Sequence, residues 1–499
     1  MGTIRKQAIY SSIVIYVGFL IGAVNTWLFT KNGAFTTSEY ALTRLFFDVG
    51  QMIFAFASFG IPVVIYKFYP YYKDNLSKKE NDLMTWSLLT GLCGFVLVVL
   101  GGWVFEPLIV KKFSANAILF VAYYKWVFPF GFGILFFIIL ETFSGTLRKT
   151  ILPNFLKETG LRLLTLVLII CYYLKLINYD SFIKIFAFLY LSIAIILFTV
   201  LFKSRQLQFT FKISRVTEKF RKKILTLAGF VYSGQIIMTL ALVVDGIFLA
   251  SLKNIATAGI FSFAIYIASF VQVPQRSIVA ITLPALSQAW KDKDMPEINR
   301  IYNRTSINLL LAALFIFLGI WLNLADAFKV LDIQKEYTTG FTVVFIIGIS
   351  RIIDAGTGVN GQIIGTSTQW RFEFFTGIVL LLLILPLNYF LIKKFGMTGA
   401  AYATLISFTI YNFIRFLFLW KRYNLQPFTK KTFLSIVVAA VCYFITYYLF
   451  TNFEGWLGII LRSVFFTLLF FSCVFVFKLT PDAMQLVEVA KKRWINFKN

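Results

Sequence analysis

The chain has 499 residues, of which 59% are hydrophobic, and its mean hydropathy is +0.80. Soluble domains are roughly 45–50% apolar, so composition excludes a soluble globular protein and indicates an integral membrane protein. Net charge is +26, from 48 basic and 22 acidic residues. Most basic residues lie in short loops between apolar segments, so the charge is not a nucleic-acid footprint.

The apolar stretches are too long and continuous for barrel strands, which alternate over about ten residues. In hydrocarbon the remaining solution is helical, so the fold class is an all-α integral membrane protein. The four cysteines, Cys93, Cys171, Cys442 and Cys473, all fall inside apolar segments and form no CxxC pair, and there is no histidine. These absences exclude His-ligated metals and Ser-His-Asp triads, and they argue against disulfides and thiolate metal sites. No cofactor is expected, and no ATPase motif of the Walker A type is present.

A span needs about 20 mostly apolar residues, and about fourteen transmembrane helices are predicted on that basis. Their limits are 7–30, 42–68, 83–108, 117–143, 151–174, 179–202, 224–250, 256–284, 303–325, 338–364, 370–392, 398–420, 431–450 and 456–478. The first is read as a membrane helix rather than a cleaved signal, because it is long and lacks a small-residue cleavage site. Segment 5 is weakly marked at its start by Lys157, Glu158 and Arg162.

Loop charge sets orientation. The even-numbered loops are strongly basic: Lys67, Lys73, Lys78 and Lys79 follow segment 2, and Lys219, Arg221, Lys222 and Lys223 end the loop after segment 6. The odd-numbered loops are poorer, with Lys31, then Lys111 and Lys112, then Lys175. Both termini are therefore expected in the cytoplasm, which requires an even number of spans.

The organisation read from this pattern is an N-terminal six-helix lobe (1–202), a basic cytoplasmic linker (203–223), a C-terminal six-helix lobe (224–420), two extra helices (421–478) and a cytoplasmic amphipathic tail (479–499), either a helix lying on the anionic leaflet or a solvated tail. A faint internal repeat supports two parallel lobes. Tyr72-Lys73-Asp74 aligns with Trp290-Lys291-Asp292, and Asn25 with Asp245.

Charges inside the apolar segments mark candidate sites, because a charge at mid-bilayer costs roughly 2.5–3.5 kcal/mol on insertion scales. Arg276, in segment 8, has no acidic residue three or four positions away; Gln272, Pro274 and Gln275 are its neighbours. It is the best candidate for an anionic group, since a guanidinium grips phosphate in bidentate fashion. Arg351, Asp354, Gly358 and Gln362 recur at helical spacing in segment 10, either as an internal Arg–Asp pair or as a cavity wall that touches substrate. Arg44 and Asp48 form an i, i+4 pair in segment 2. Asp245, in segment 7, is open to three roles: a coupling-cation site, a cap on a neighbouring helix, or an arginine's partner. Lys125, Glu141, Arg415 and Arg462 are read as structural. Gly356 to Gly361 fit GxGxxG, but within an apolar helix they read as a kink or close packing, not a dinucleotide loop.

The opening RKQAIYSSIVIYVGFLIGAVNTWLFT, the following FTTSEYALTRLFFDVGQMIFAFASFGIPVVIYKFYP and the stretch RIIDAGTGVNGQIIG resemble bacterial polysaccharide-unit flippases of the multidrug/oligosaccharidyl-lipid/polysaccharide exporter superfamily. The resemblance covers nearly the whole chain. It implies a V-shaped bundle with a central cavity between two pseudo-symmetric lobes, alternating access, location in the bacterial inner membrane, and an undecaprenyl-diphosphate-linked oligosaccharide as cargo. Arg276 and Arg44 are then the counterparts of cleft residues that serve the diphosphate, with Arg351 as an addition and Gln272, Asp354 and Asp48 beside them. Membrane lipids and polysaccharide polymerase or other assembly proteins are the implied partners. Helices 13 and 14 are implied to form a lipid-facing groove. The protein is not read as an enzyme. A cation-coupled multidrug antiporter of the same superfamily is the first alternative, kept open by Asp48, Asp245 and Asp354. A membrane glycosyltransferase or ligase is the second, and it is disfavoured because no outer loop is long enough to hold an active site.

Overall fold

Thr36 and Glu39 show how the helices begin. Thr36 Oγ1 accepts from the Glu39 backbone N–H at 3.2 Å, and Glu39 Oε2 accepts from the Thr36 N–H at 2.7 Å. This reciprocal cap satisfies two of the donors that a helix N-terminus leaves open. Farther along, Ser214 and Asp294 cap their helices in the one-sided way, accepting from Thr217 N and Glu297 N.

The computed structural model describes residues 17–33 and 35–482. Among them the first unit contains α1 (Val17–Thr30), α2 (Thr37–Ala57), α3 (Ile61–Asn75), α4 (Leu83–Val104), α5 (Glu106–Phe113), α6 (Ile118–Ala122), α7 (Val127–Thr146), α8 (Ile151–Asn154), α9 (Leu161–Tyr173), α10 (Tyr179–Ala187), α11 (Leu189–Lys203) and α12 (Arg215–Leu252). Then follow α13 (Ile255–Ser269), α14 (Val273–Asp292), α15 (Met295–Val330), α16 (Phe341–Gly356), α17 (Asn360–Thr366), α18 (Arg371–Phe395), α19 (Met397–Tyr423), α20 (Lys430–Leu449) and α21 (Gly455–Val476). The fold is all-helical and multi-pass, with two lobes, as the composition requires.

Among the described residues, eleven helices are long and apolar enough to cross a membrane, or twelve when the bent pair α2 and α3 counts as one span. The expected count of fourteen is not confirmed among the described residues. The two segments that fall short are the first and the fifth. The described part of the first, α1, is a short apolar helix. The fifth runs helical from Ile151 to Tyr173, but a π-helical turn at Phe155–Gly160 divides it. That turn holds Lys157 and Glu158, two of the charges that blur the segment's start. The tail expected over 479–499 lies outside the described residues from 483 onward.

Two breaks in the expected helices have local causes. The 50° bend between α2 and α3 follows Phe59 (φ 45°) and Gly60 (φ 72°). Any Cβ at Gly60 would lie 2.6 Å from the Ala228 carbonyl oxygen, so left-handed backbone and close approach both demand glycine there. Segment 10, expected to be continuous, stops at Gly356 and restarts at Asn360, with Gly358 at φ 65° between. The GxGxxG stretch is thus a helix break. Because of it, Arg351 and Asp354 do not share one unbroken helical face with Gln362.

The chain divides into two compact units, residues 1–259 and 260–499. Within the first unit, α12 packs along α2 and α3. The junction before α12 is tied down within the first unit. Asp82 Oδ2 accepts from the Ser214 N–H at 3.0 Å and from Thr217 Oγ1 at 2.8 Å, and Tyr72 shares a hydrogen bond with Thr217 at 2.7 Å.

In the second unit, α20 and α21 close on α15 through Leu310, Leu314, Val438, Cys442, Phe466 and Phe470, all buried. Arg462 of α21 bonds Asp326 of α15 inside this packing. Elsewhere the helices present large apolar side chains outward, among them Val167, Leu242, Leu382 and Leu468. In water such a surface would be an aggregation hazard; here it meets lipid.

Candidate functional site

The embedded charges sort into two groups. Lys157 reaches Glu141 at 3.2 Å, Arg162 reaches Glu158 at 3.2 Å and Lys125 reaches Glu106 at 3.9 Å. Arg415 bonds Glu373 and the Tyr411 hydroxyl, and Arg462 bonds Asp326. Each of these cations is paired with a carboxylate, and for the buried Arg415 and Arg462 low dielectric requires it. Lys125, Glu141, Arg415 and Arg462 therefore have structural partners.

Arg276 belongs to the other group. It lies in the first turn of α14, just after a 3₁₀ turn at Phe270–Gln272, with Pro274 at the helix start. Proline fits there because it has no N–H to leave unpaired. Its side chain is exposed, and among the described residues it makes no hydrogen bond or ion pair. Arg44 also lacks an ion pair among the described residues. It is half-buried on α2 with its guanidinium 5.6 Å from the Phe47 ring centre.

Asp354 is surrounded by amides. Gln272 Nε2 and Gln275 Nε2 donate to its Oδ2 at 3.3 and 3.2 Å, and Asn412 Nδ2 donates to its Oδ1 at 3.0 Å. Asn412 is itself buried, and its Oδ1 accepts from Asn360 Nδ2 at 3.1 Å and from Thr357 Oγ1 at 3.3 Å. The break after α16 creates this network, since it turns Thr357 and Asn360 toward α19. Arg351, one turn before Asp354, lies over the Phe408 ring at 5.7 Å, a cation–π contact. The second unit thus brings together Gln272 and Asp354, with Arg351 on the same helix and Arg276 one residue beyond Gln275.

In the first unit, Asp48 and Asp245 are neighbours. A Cβ on Gly246 would come within 2.8 Å of Asp48 Oδ2, so α2 and α12 touch at this point. Arg44 and Asp245 are the charges that act on Asp48. Asp245 is buried. Two carboxylates and one guanidinium are therefore held together between two spans.

Sequence reading assigned no site role to Gln275, Thr357, Asn360, Asn412 or Phe408. Three of these are amides in apolar surroundings, and that was the available signal: a buried amide needs a partner. Which partner depends on the helix break, which periodicity does not reveal.

The chain matches no protein-family model, and no curated protein sequence matches it. Solved structures do match. A lipid II flippase, MurJ, in an inward closed conformation superposes with a TM-score of 0.71 at 18% identity, over 94% of this chain and 99% of that one. The chain has the fold of MurJ and the MATE transporters. An inward-facing multidrug resistance MATE family transporter of the MOP superfamily aligns at 0.63 and 15% identity, over 84% of this chain and 98% of that one. The MATE multidrug transporter DinF-BH aligns at 0.52 and 14%, over 86% and 98%. At these identities the likeness concerns fold. In this MurJ–MATE fold the unpaired Arg276 and the amide-bound Asp354 are the chemically distinctive features of the second unit.

Proposed function

We propose that the protein is a flippase that carries a polyprenyl-diphosphate-linked oligosaccharide from the cytoplasmic to the outer leaflet of a bacterial inner membrane by alternating access. The observation that carries this reading is Arg276. Lys125, Lys157, Arg162, Arg415 and Arg462 are each matched by a carboxylate, whereas Arg276 is exposed on a membrane helix with no hydrogen bond or ion pair among the described residues. A guanidinium facing hydrocarbon is costly, so this face is wet or takes an anion. A diphosphate cannot cross hydrocarbon unaided, and an arginine replaces part of its hydration shell.

In this reading Arg276 binds the diphosphate on the second unit and Arg44 offers a cation on the first. Arg351 adds positive potential, while Gln272, Asp354 and Asp48 supply polar contacts to the cargo. Both termini are cytoplasmic, and polymerase and other assembly proteins receive the product. The test is complementation of a flippase-deficient strain. The wild type should restore surface glycan; if it moves no lipid-linked glycan, the reading fails.

A second reading, cation-coupled multidrug antiport, is favoured by the juxtaposed Asp48 and Asp245, a pair suited to a proton or sodium ion. Efflux of a cationic fluorescent dye from cells separates the two. Efflux that is lost in Asp48→Asn supports the antiporter, whereas absence of efflux together with glycan restoration supports the flippase.

A further inference from the structure

The first unit contains a cleft of about 690 Å³ between α2, α4, α7 and α12, open rather than enclosed. It is within the usual size of a ligand pocket, about 300–1,000 Å³. Its lining carries no carboxylate, amine or guanidinium. Its two hydroxyls are already satisfied: Tyr124 donates to the Gly102 carbonyl at 3.0 Å and Tyr232 to the Phe56 carbonyl at 2.9 Å. The remainder is hydrocarbon and aromatic surface, such as Met52, Leu97, Val98 and Phe128. Water in such a space would forfeit its hydrogen bonds, so the chemistry suits an alkyl chain.

One end of the cleft is bounded by α5, which follows the span α4 directly. Phe105, Ile109 and Phe113 recur every four residues and line the cleft. No residue of α5 is fully buried, which fits a helix lying in the membrane interface. Lys111 and Lys112 end this helix, are exposed, and have no ion-pair partner among the described residues. The helix's one acid, Glu106, is engaged by Lys125 at 3.9 Å. The helix that lines one end of this apolar slot therefore also carries two lysines with no ion-pair partner among the described residues.

We propose that this cleft is a lipid site, in which an acyl chain of an anionic phospholipid occupies the slot and its phosphate pairs with Lys111 and Lys112. Lysines at an interface draw anionic headgroups while their stems cover apolar surface. The site is separate from the transport reading and does not depend on it.

Gly101 provides the probe, because a Cβ there meets nothing within 4 Å and Gly101→Leu would fill the slot without a clash at that atom. The full chain is reconstituted in phosphatidylcholine nanodiscs doped with either phosphatidylglycerol or phosphatidylcholine bearing a diazirine in mid-acyl chain. Crosslinked peptides are then mapped by mass spectrometry. Phosphatidylglycerol should label residues 94–128 on the order of tenfold above the phosphatidylcholine probe. Gly101→Leu should remove that labelling, and Lys111→Gln with Lys112→Gln should abolish the preference while labelling persists. If Gly101→Leu melts below the wild type, Leu97→Trp, at an exposed cleft position, takes its place. Labelling that is unchanged in the filled variants, or equal for the two probes in the wild type, overturns the proposal.

Discussion

Gln275 donates to Asp354 across 3.2 Å, bridging the start of α14 to the end of α16. The very next residue is Arg276. The same turn thus places one amide on a carboxylate and leaves the guanidinium outside that network.

Amide redundancy makes the network's members unequal. Oδ2 of Asp354 has two donors, Gln272 and Gln275, whereas Oδ1 has Asn412. Gln275→Leu should lower stability by less than about 1 kcal/mol. Asn412→Leu should cost about 2–6 kcal/mol, because it strands both Asp354 Oδ1 and Asn360 Nδ2, each at about 1–3 kcal/mol. Thermal melts of the purified variants should show the larger drop for Asn412→Leu.

Arg462 and Asp326 bury their ion pair, with side chains 10% and 8% exposed. Either single truncation, Arg462→Met or Asp326→Leu, should destabilise by about 3–5 kcal/mol because it leaves a buried charge alone. The double variant should recover most of that loss. A double-mutant cycle on melting temperature measures the difference; additive losses would mean that the pair is not coupled.

Gly358 holds a left-handed backbone, and a Cβ added there would lie 3.1 Å from the Ser306 backbone. Gly358→Ala should cost about 1–3 kcal/mol in strain. Gly356→Ala, whose Cβ would meet Leu310 at 3.4 Å in ordinary contact, should be nearly neutral. Parallel melting curves check the pair.

Arg276 should matter for transport and little for folding. A charge-assisted bond is worth about 1.5–3 kcal/mol, so Arg276→Ala should slow flipping about ten- to a hundredfold at unchanged expression. Arg276→Lys keeps the charge but loses the two-pronged grip, and should fall between. Initial rates with a lipid-linked oligosaccharide in proteoliposomes give the order; full activity of Arg276→Ala at normal expression would remove it from the site.

Most of the helices were legible because unbroken apolarity of membrane length has few other meanings. Their ends were less so. Both α12 and α15 extend beyond their apolar windows through polar turns capped by Ser214 and Asp294, and hydropathy does not register polar helix. Glycine positions showed where segment 10 could break, but not that Gly358 would adopt φ 65° and swing Asn360 toward Asn412. The isolation of Arg276 was visible as missing acids nearby in sequence. The pairing of Arg415 with Glu373 and of Arg462 with Asp326 was not, because each joins two different helices, across 42 and 136 residues of sequence, beyond the reach of i, i+4 spacing.

The outward-facing side chains of α9 make a wider point. Leu163, Leu164, Val167 and Ile170 face out, while Glu158 and Arg162 pair with each other. Greasiness here marks the skin of the protein as much as its heart. The bilayer is accordingly the solvent in which this fold is defined, and its thickness and fluidity belong among the determinants of stability, beside the sequence.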